Sequence, residues 1–212
     1  MTKVRDLDQV LDAAARVFGE KGFEDARLED IATELGILKG SLYYYATTKA
    51  ELFFLVTRRR LTLLIAHAEA IAVSDAAAPE KMTQVVAAHL RQLDAFYPES
   101  RQWFTEPSRP RGRDDGLDQR RAEIQALNRR YRLVWRRIIA DGVAAGVFRS
   151  DLDLDVATLG ALGVCNWLTR WYDKDGRLTM EQISATLVPL IRGGLSDPGT
   201  PRLNGSGNGR VK

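Results

Sequence analysis

The stretch Leu28–Glu51, LEDIATELGILKGSLYYYATTKAE, constrains the fold more than any other part of the 212-residue chain. Leu28, Ile31, Ala32 and Leu35 recur at helical spacing and predict a helix with one apolar face. Gly36 follows, a residue type that takes a left-handed conformation at little steric cost and so both ends a helix and turns the chain. Lys39 to Tyr45 form a second helix, too short to hold alone, with Ile37 and Leu42 placed to anchor it. Two helices joined by a glycine-containing turn make a helix-turn-helix, whose second helix enters the DNA major groove. The same pattern alone also describes an ordinary helical hairpin. What separates the two is the second helix, which displays Lys39, Gly40, Ser41, Tyr43 and Tyr44. Lys39 and Ser41 can reach base edges or phosphates, the two tyrosine hydroxyls can reach phosphates, and Gly40 lets a backbone come close.

The flanking sequence predicts helices throughout. A first helix spans about Asp6 to Glu20, with Leu7, Leu11, Ala14 and Phe18 on its inner face and Gly22 near its end. Thr48-Lys49-Ala50-Glu51 has capping-box form and opens a long helix to about Ala72. Lys49 in its first turn lies where backbone amides already favour a phosphate, and Arg27 is placed to do the same at the other edge of the motif. Helices are then expected from Pro79 to about Tyr97, from Leu117 to Ala145 with Gly146 as its stop, and from Asp153 to Tyr172. Trp103 and Phe104 suggest a short helix before an exposed loop. The last helix starts at Thr179, with a second capping box, and ends at Gly193-Gly194. The chain is therefore expected to be all-α: a DNA-binding domain of three helices over residues 1–47, a larger helical domain over 48–195 and a disordered tail over 196–212.

Charge supports a local, not a global, anionic partner. Residues 1–60 carry ten basic and ten acidic side chains, whereas residues 36–60 carry five basic side chains against Glu51. Phosphate-binding charge is distributed in this way when one edge of a domain faces DNA. No apolar run approaches the length of a membrane span, and the N-terminus has no signal-peptide core. The single Cys165 forms no internal disulfide, and a cytoplasmic protein is expected. Catalytic and metal readings fail. Calcium loops starting at Asp151 or Asp173 lack the glycine and glutamate they require, and His67 and His89 have no ligand-spaced partner. No phosphate-binding glycine loop or nucleophile elbow occurs. No metal, cofactor or enzymatic activity is expected.

Four segments carry a family resemblance: AARVFGEKGFE at Ala14–Glu24, LEDIA at Leu28–Ala32, GILKGSLY at Gly36–Tyr43 and TKAEL at Thr48–Leu52. Together they resemble the DNA-binding domain of the TetR family of transcriptional repressors. Three positions depart from that pattern. Leu38 replaces a capping Ser or Thr, Arg27 a small hydroxyl residue, and Ala46 a core Phe, leaving space for Tyr45, Phe23 or Phe53 to fill. Further on, NWLTRWYDKDGRLT at Asn166–Thr179 resembles the subgroup that senses acyl-CoA thioesters in lipid and steroid catabolism. Trp167, Arg170 and Trp171 share one helix face there, although two tryptophans alone more often mark core packing. The resemblance implies an effector site formed by Trp103, Phe104, Trp167, Arg170 and Trp171, with cations from the segment Arg101–Arg137, which holds eleven arginines against five acids. It also implies a homodimer joined through Gly160, Gly163 and Val164 on one helix and Ile183, Leu187 and Ile191 on the last, the alternative being that these stripes form intramolecular core. The function implied is a dimeric repressor on a near-palindromic operator, released by an acyl-CoA. The alternatives are a TetR-type regulator of another apolar or cationic molecule and a ligand-insensitive DNA-binding protein.

Overall fold

The computed structural model describes residues 6–95 and 115–196. In chain order its helices are α1 (Leu7–Asp25), α2 (Leu28–Leu35), α3 (Lys39–Leu42), α4 (Lys49–Val73), α5 (Ala78–Ala95), α6 (Asp115–Ala144), α7 (Leu154–Asn166), α8 (Leu168–Trp171) and α9 (Met180–Leu195). Among the described residues the one β-type pairing is an isolated antiparallel bridge between Phe148 and Ser196. The fold is all-α, as the periodicity predicts. The expected short helix at Trp103 and Phe104 and the expected disordered tail lie outside the described residues, apart from Ser196.

Local signals place the helix ends. Gly36 takes the left-handed conformation at φ 65°, and Ile37 N–H closes the turn on Ala32 O at 3.0 Å. Thr48 Oγ1 accepts from Glu51 N at 3.0 Å to open α4. Thr179 and Gln182 cap α9 reciprocally, at 3.3 and 3.0 Å. Where Arg27 replaces a capping hydroxyl, the Asp30 carboxylate accepts the Arg27 backbone N–H at 2.9 Å, so one half of a capping box survives. Leu38 provides no side-chain cap to α3.

The described helices bury two apolar cores. One gathers Val10, Ala14, Phe18, Ile31, Leu42 and Leu52 from α1–α4. In the same core as the buried Ala46, the rings of Phe18, Phe23 and Phe53 cluster, with Phe53 at 5.2 Å from Phe18 and 4.9 Å from Phe23. Aromatics from α1 and α4 thus supply bulk to this core, with Tyr45 half-buried against it. The second core lies among α4–α9 around the fully buried Trp135, Ile138, Leu90 and Leu168. Helix α4 contributes to both.

Packing overrides local expectation in four places. Helix α1 passes through Gly22, which sits at φ 79° as a kink, and continues to Asp25. The expected single helix over 153–172 tightens at Trp167, dividing α7 from α8; Trp167 N–H still bonds Gly163 O, while Arg170 N–H bonds Trp167 O three residues back. Helix α9 does not stop at Gly193-Gly194. It runs on to Leu195, whose side chain is buried and whose carbonyl accepts Arg149 N–H at 3.0 Å, so tertiary anchoring outweighs glycine's helix-breaking tendency. Finally, Ile183 and Ile191 are buried in the chain's own second core and Leu187 packs against it. Of these three residues, expected at a dimer interface, Ile183 and Ile191 are spent on intramolecular core and Leu187 is half-buried at its edge, because α9 docks that stripe on the rest of the domain.

The end of α6 shows how close this packing is. Gly142 O accepts from both Val147 N and Phe148 N, folding the buried Phe148 ring onto the helix so that a Cβ on Gly142 would overlap it. Gly142→Ala should therefore destabilise the protein by about 1–3 kcal/mol despite alanine's better helix propensity. Urea denaturation checks this; unchanged stability would mean that the ring moves aside freely.

Candidate nucleic-acid interface and ligand cavity

Helix α2 presses Ile31, Ala32 and Leu35 into the first core, and α3 stands on Leu42, which is buried. The outer side of α3 is left to solvent. Lys39 and Gly40 are exposed, Ser41 is half-buried, Tyr43 is exposed, and Tyr44 is 83% exposed with its ring edge-on to Tyr45 at 5.1 Å. Lys39 Nζ lies 2.6 Å from Glu29 Oε1. That pairing pushes the Lys39 pKa up and holds the Glu29 carboxyl below its usual range. A Cβ at Gly40 would meet nothing within 4 Å, so no contact among the described residues calls for glycine there. Arg27 is exposed at the start of α2. Lys49 is engaged inside the domain: its ammonium lies 4.5 Å from the Phe23 ring centroid and donates to Phe23 O at 2.5 Å and Glu24 O at 2.8 Å. Two of its three N–H donors thus cap the end of α1, which leaves one for a phosphate.

Between α4, α5, α6 and α7 lies a cavity of about 440 Å³, inside the usual size range for small-molecule sites. Leu61 and Leu64 from α4, Leu93 from α5 and Leu162 from α7 give it an apolar lining. Arg132 and Asn128 on α6, with Leu159 and Gly163 on α7, are exposed lining residues and mark its open side. Phe53 belongs to two sites at once, lining the cavity while packing edge-on against Phe18 in the first core.

A buried polar relay forms part of the wall. His89 from α5 places Nε2 3.0 Å from Asn166 Oδ1 and Nδ1 3.1 Å from the Tyr131 hydroxyl, and all three residues line the cavity. Burial lowers the His89 pKa to about 4, so the ring is neutral at pH 7. One ring nitrogen then donates and the other accepts: Nε2–H donates to Asn166, and Tyr131 O–H donates to Nδ1. Burial likewise pushes the Tyr131 phenol up and the neighbouring Cys165 thiol up to about 12.

The structure does not bring the sequence-predicted effector residues to this cavity. Trp167 is 64% exposed, Trp171 is 49% exposed and Arg170 is exposed, and none of them lines it. Trp103 and Phe104 lie outside the described residues. The reason is the docking of α7 and α8, which bury Leu162, Cys165 and Leu168 and so turn the tryptophans outward. The relay residues were the missed ones, and a signal existed. His89 and Tyr131 are polar groups within otherwise apolar helical stripes, beside Val85, Val86 and Leu90 in one case and Val134 and Ile138 in the other. The outward side of α7 also carries Val156, Leu159, Gly160, Gly163 and Val164, all exposed. Cβ atoms on Gly160 and Gly163 would meet nothing within 4 Å. Among the described residues no His, Cys, Asp or Glu cluster could hold a metal ion, and no helix is long and apolar enough to cross a membrane.

Comparison with known proteins decides the family. Residues 10–56 match the family described as bacterial regulatory proteins, tetR family. Residues 75–195 match the tetracyclin repressor-like C-terminal domain. The chain belongs to the TetR family. It is accordingly a DNA-binding transcriptional regulator and not an enzyme. It is similar to the HTH-type transcriptional repressor KstR2 of Mycobacterium tuberculosis, at 28% identity over 90% of this chain and 93% of that protein. To the HTH-type transcriptional repressor NicS of Pseudomonas putida it is 30% identical, over 76% of this chain and 74% of that one. The crystal structure of the Bacillus subtilis regulator FadR in complex with stearoyl-CoA shares the fold, with a TM-score of 0.73 at 21% identity, covering 90% of this chain and all of that one (100%).

The neutral His89 gives this TetR-family domain a pH dependence of definite sign. Its folded-state pKa is depressed, so the unfolded chain takes up the proton first and stability is lost as pH falls from about 6.5 to about 4. The full effect through this group is about 3 kcal/mol. Urea denaturation of wild type and His89→Gln at pH 7, 6, 5 and 4 should show a shallower decline in the variant. Parallel curves would remove His89 from the account.

Proposed function

We propose that this regulator represses transcription by binding a near-palindromic operator as a homodimer and is released when an acyl-CoA thioester occupies the α4–α7 cavity. The observation that carries the proposal is the double role of Phe53, wall of the cavity and member of the aromatic cluster that joins α4 to α1 in the first core. A ligand filling the cavity presses on the same side chain that seats α4 against α1. Relief of repression requires that the ligand bind the DNA-incompetent arrangement better than the competent one, a coupling typically of about 1–3 kcal/mol. An apolar interior with Arg132 at its opening suits an acyl chain with an anionic head, and the stearoyl-CoA held by a fold neighbour supports that class.

On the DNA side, Lys39, Ser41, Tyr43 and Tyr44 supply the contacts, Gly40 the close approach, Arg27 a flanking cation and Lys49 its remaining donor. Gly40→Val should leave thermal stability within about 1 kcal/mol of wild type, since its surroundings are open and valine's β-branching is the main cost. The same change should weaken operator binding at least tenfold, read by fluorescence anisotropy on a labelled duplex. Unchanged binding would place the DNA backbone elsewhere.

A helix-turn-helix dimer reads two half-sites at a fixed spacing, so assembly is part of the function. With Ile183 and Ile191 buried in the core, the exposed α7 face around Gly160, Gly163 and Val164 supports docking of a second copy there, and the outward Trp167 adjoins it. Gly160→Arg should give a folded monomer in sedimentation with weakened operator binding; a persistent dimer would refute this face. For the effector, operator binding should be titrated with saturated acyl-CoAs, free fatty acids and cationic dyes. Release by CoA thioesters is expected, and release by dyes alone would end the acyl-CoA assignment.

A further inference from the structure

The relay His89–Asn166–Tyr131 is more than a structural network, because it leaves hydrogen-bonding capacity on residues that line the cavity. We infer that the effector carries a hydroxyl or keto oxygen on the buried part of its hydrocarbon body, read by the Asn166 amide and the Tyr131 hydroxyl. This rests on the cavity being the effector site and adds to it the chemistry of the ligand's apolar portion.

The donor count shows why. His89 lies 6% exposed and both its ring nitrogens are satisfied, one by Asn166 Oδ1 at 3.0 Å and one by the Tyr131 hydroxyl at 3.1 Å. In that arrangement the Asn166 carbonyl is an acceptor and its NH₂ group, with two N–H donors, is left over. The Tyr131 proton goes to His89, and with the Trp135 side chain also interacting with the phenol, the oxygen keeps one lone pair to accept a further hydrogen bond. Both groups line a cavity whose neighbouring walls are Leu93 and Leu162. In the empty cavity water can satisfy them. A saturated chain would displace that water and leave a buried amide and a phenolic oxygen unpaired, which is costly in a low-dielectric site. A hydroxyl group answers both at once, accepting from Asn166 Nδ2–H and donating to the Tyr131 oxygen. A ketone answers the first alone. The neutrality of His89 keeps the relay fixed in this sense, since a protonated ring would need an acceptor at each nitrogen.

The order hydroxyl first, ketone second, saturated last is thus built into the wall. A polar site rejects an analogue that lacks the matching group more strongly than an apolar pocket rejects an added one. The selectivity therefore comes from groups the saturated ligand strands.

The test is direct binding to the full-length protein, by calorimetry, of saturated and ω-hydroxy fatty acids of 8, 10, 12 and 14 carbons, each as the free acid and as the CoA thioester. Scanning length brings the terminal oxygen to the relay at one member of the series. At that length the hydroxylated ligand should bind at least about tenfold tighter than its saturated counterpart, in the acid or the thioester form. Tyr131→Phe removes one oxygen, and Asn166→Leu removes the amide at similar volume. Either should reduce the preference to within about twofold while the saturated ligand binds as well as before or better. If every hydroxylated member binds no tighter than its saturated partner, or if none of the ligands binds, the inference is overturned. Tighter binding of thioesters than acids, with no preference for oxygen, would leave the acyl-CoA effector standing and remove the relay's role. A hydroxyl preference confined to free acids would uphold the relay and remove the CoA.

Discussion

A helix of 25 residues gains little from its own hydrogen bonds in water and is held by what it packs against, and α4, Lys49–Val73, packs against two cores. Leu52 and Val56 belong to the core of α1–α4, and Ile65, Ala68, Ile71 and Ala72 to the core of α4–α9. The helix runs about 37 Å without a break, at 1.5 Å per residue. It cannot tilt at one end without displacing the other. The first core, on which α3 stands, and the cavity are mechanically joined because one rigid element is buried at both ends, and Phe53 packs in that core while lining the cavity.

A second element holds α4 from outside. Arg120 of α6 lies 3.3 Å from Glu51, which in turn accepts from Thr47 N at 2.8 Å and Thr47 Oγ1 at 2.7 Å. Those Thr47 hydrogen bonds are the main cause of the lowered Glu51 pKa. Further along, Arg58 faces Glu123 at 3.7 Å, and Arg130 grips Glu69 with two bonds of 2.7 and 2.9 Å. Exposed ion pairs of this kind add little stability one by one. Their spacing along α4 fixes the register of α6, which supplies Asn128, Tyr131 and Arg132 to the cavity. Binding in the cavity and the loop after the recognition helix thus share a partner in α6.

The wall of the cavity illustrates a general trade. Burying His, Asn and Tyr costs free energy unless each finds a partner. Here they find one another, across 42 and 77 residues of sequence separation. The network is closed on the protein side and open toward the cavity. Closure keeps the domain stable when empty, and openness gives the cavity its chemical preference.

The sequence determined whatever depends on neighbours within about four residues. The left-handed Gly36, the Thr48 and Thr179 caps and the apolar stripe of α2 follow from local hydrogen bonding, backbone sterics and side-chain period, and all were legible in advance. Four motif segments around the helix-turn-helix carried the resemblance to the TetR family that comparison with known proteins then showed. Only the tertiary structure decided which way each stripe faces, because an amphipathic helix states that it has an apolar side without saying what covers it. Thus Ile183 and Ile191 turned inward, Trp167 and Trp171 turned outward, and Lys49 spent two of its donors on the end of α1. His89 and Tyr131 showed as polar interruptions of apolar stripes, but their meeting with Asn166 at a cavity wall was illegible for the same reason, since three helices distant in sequence had to dock before these residues could meet.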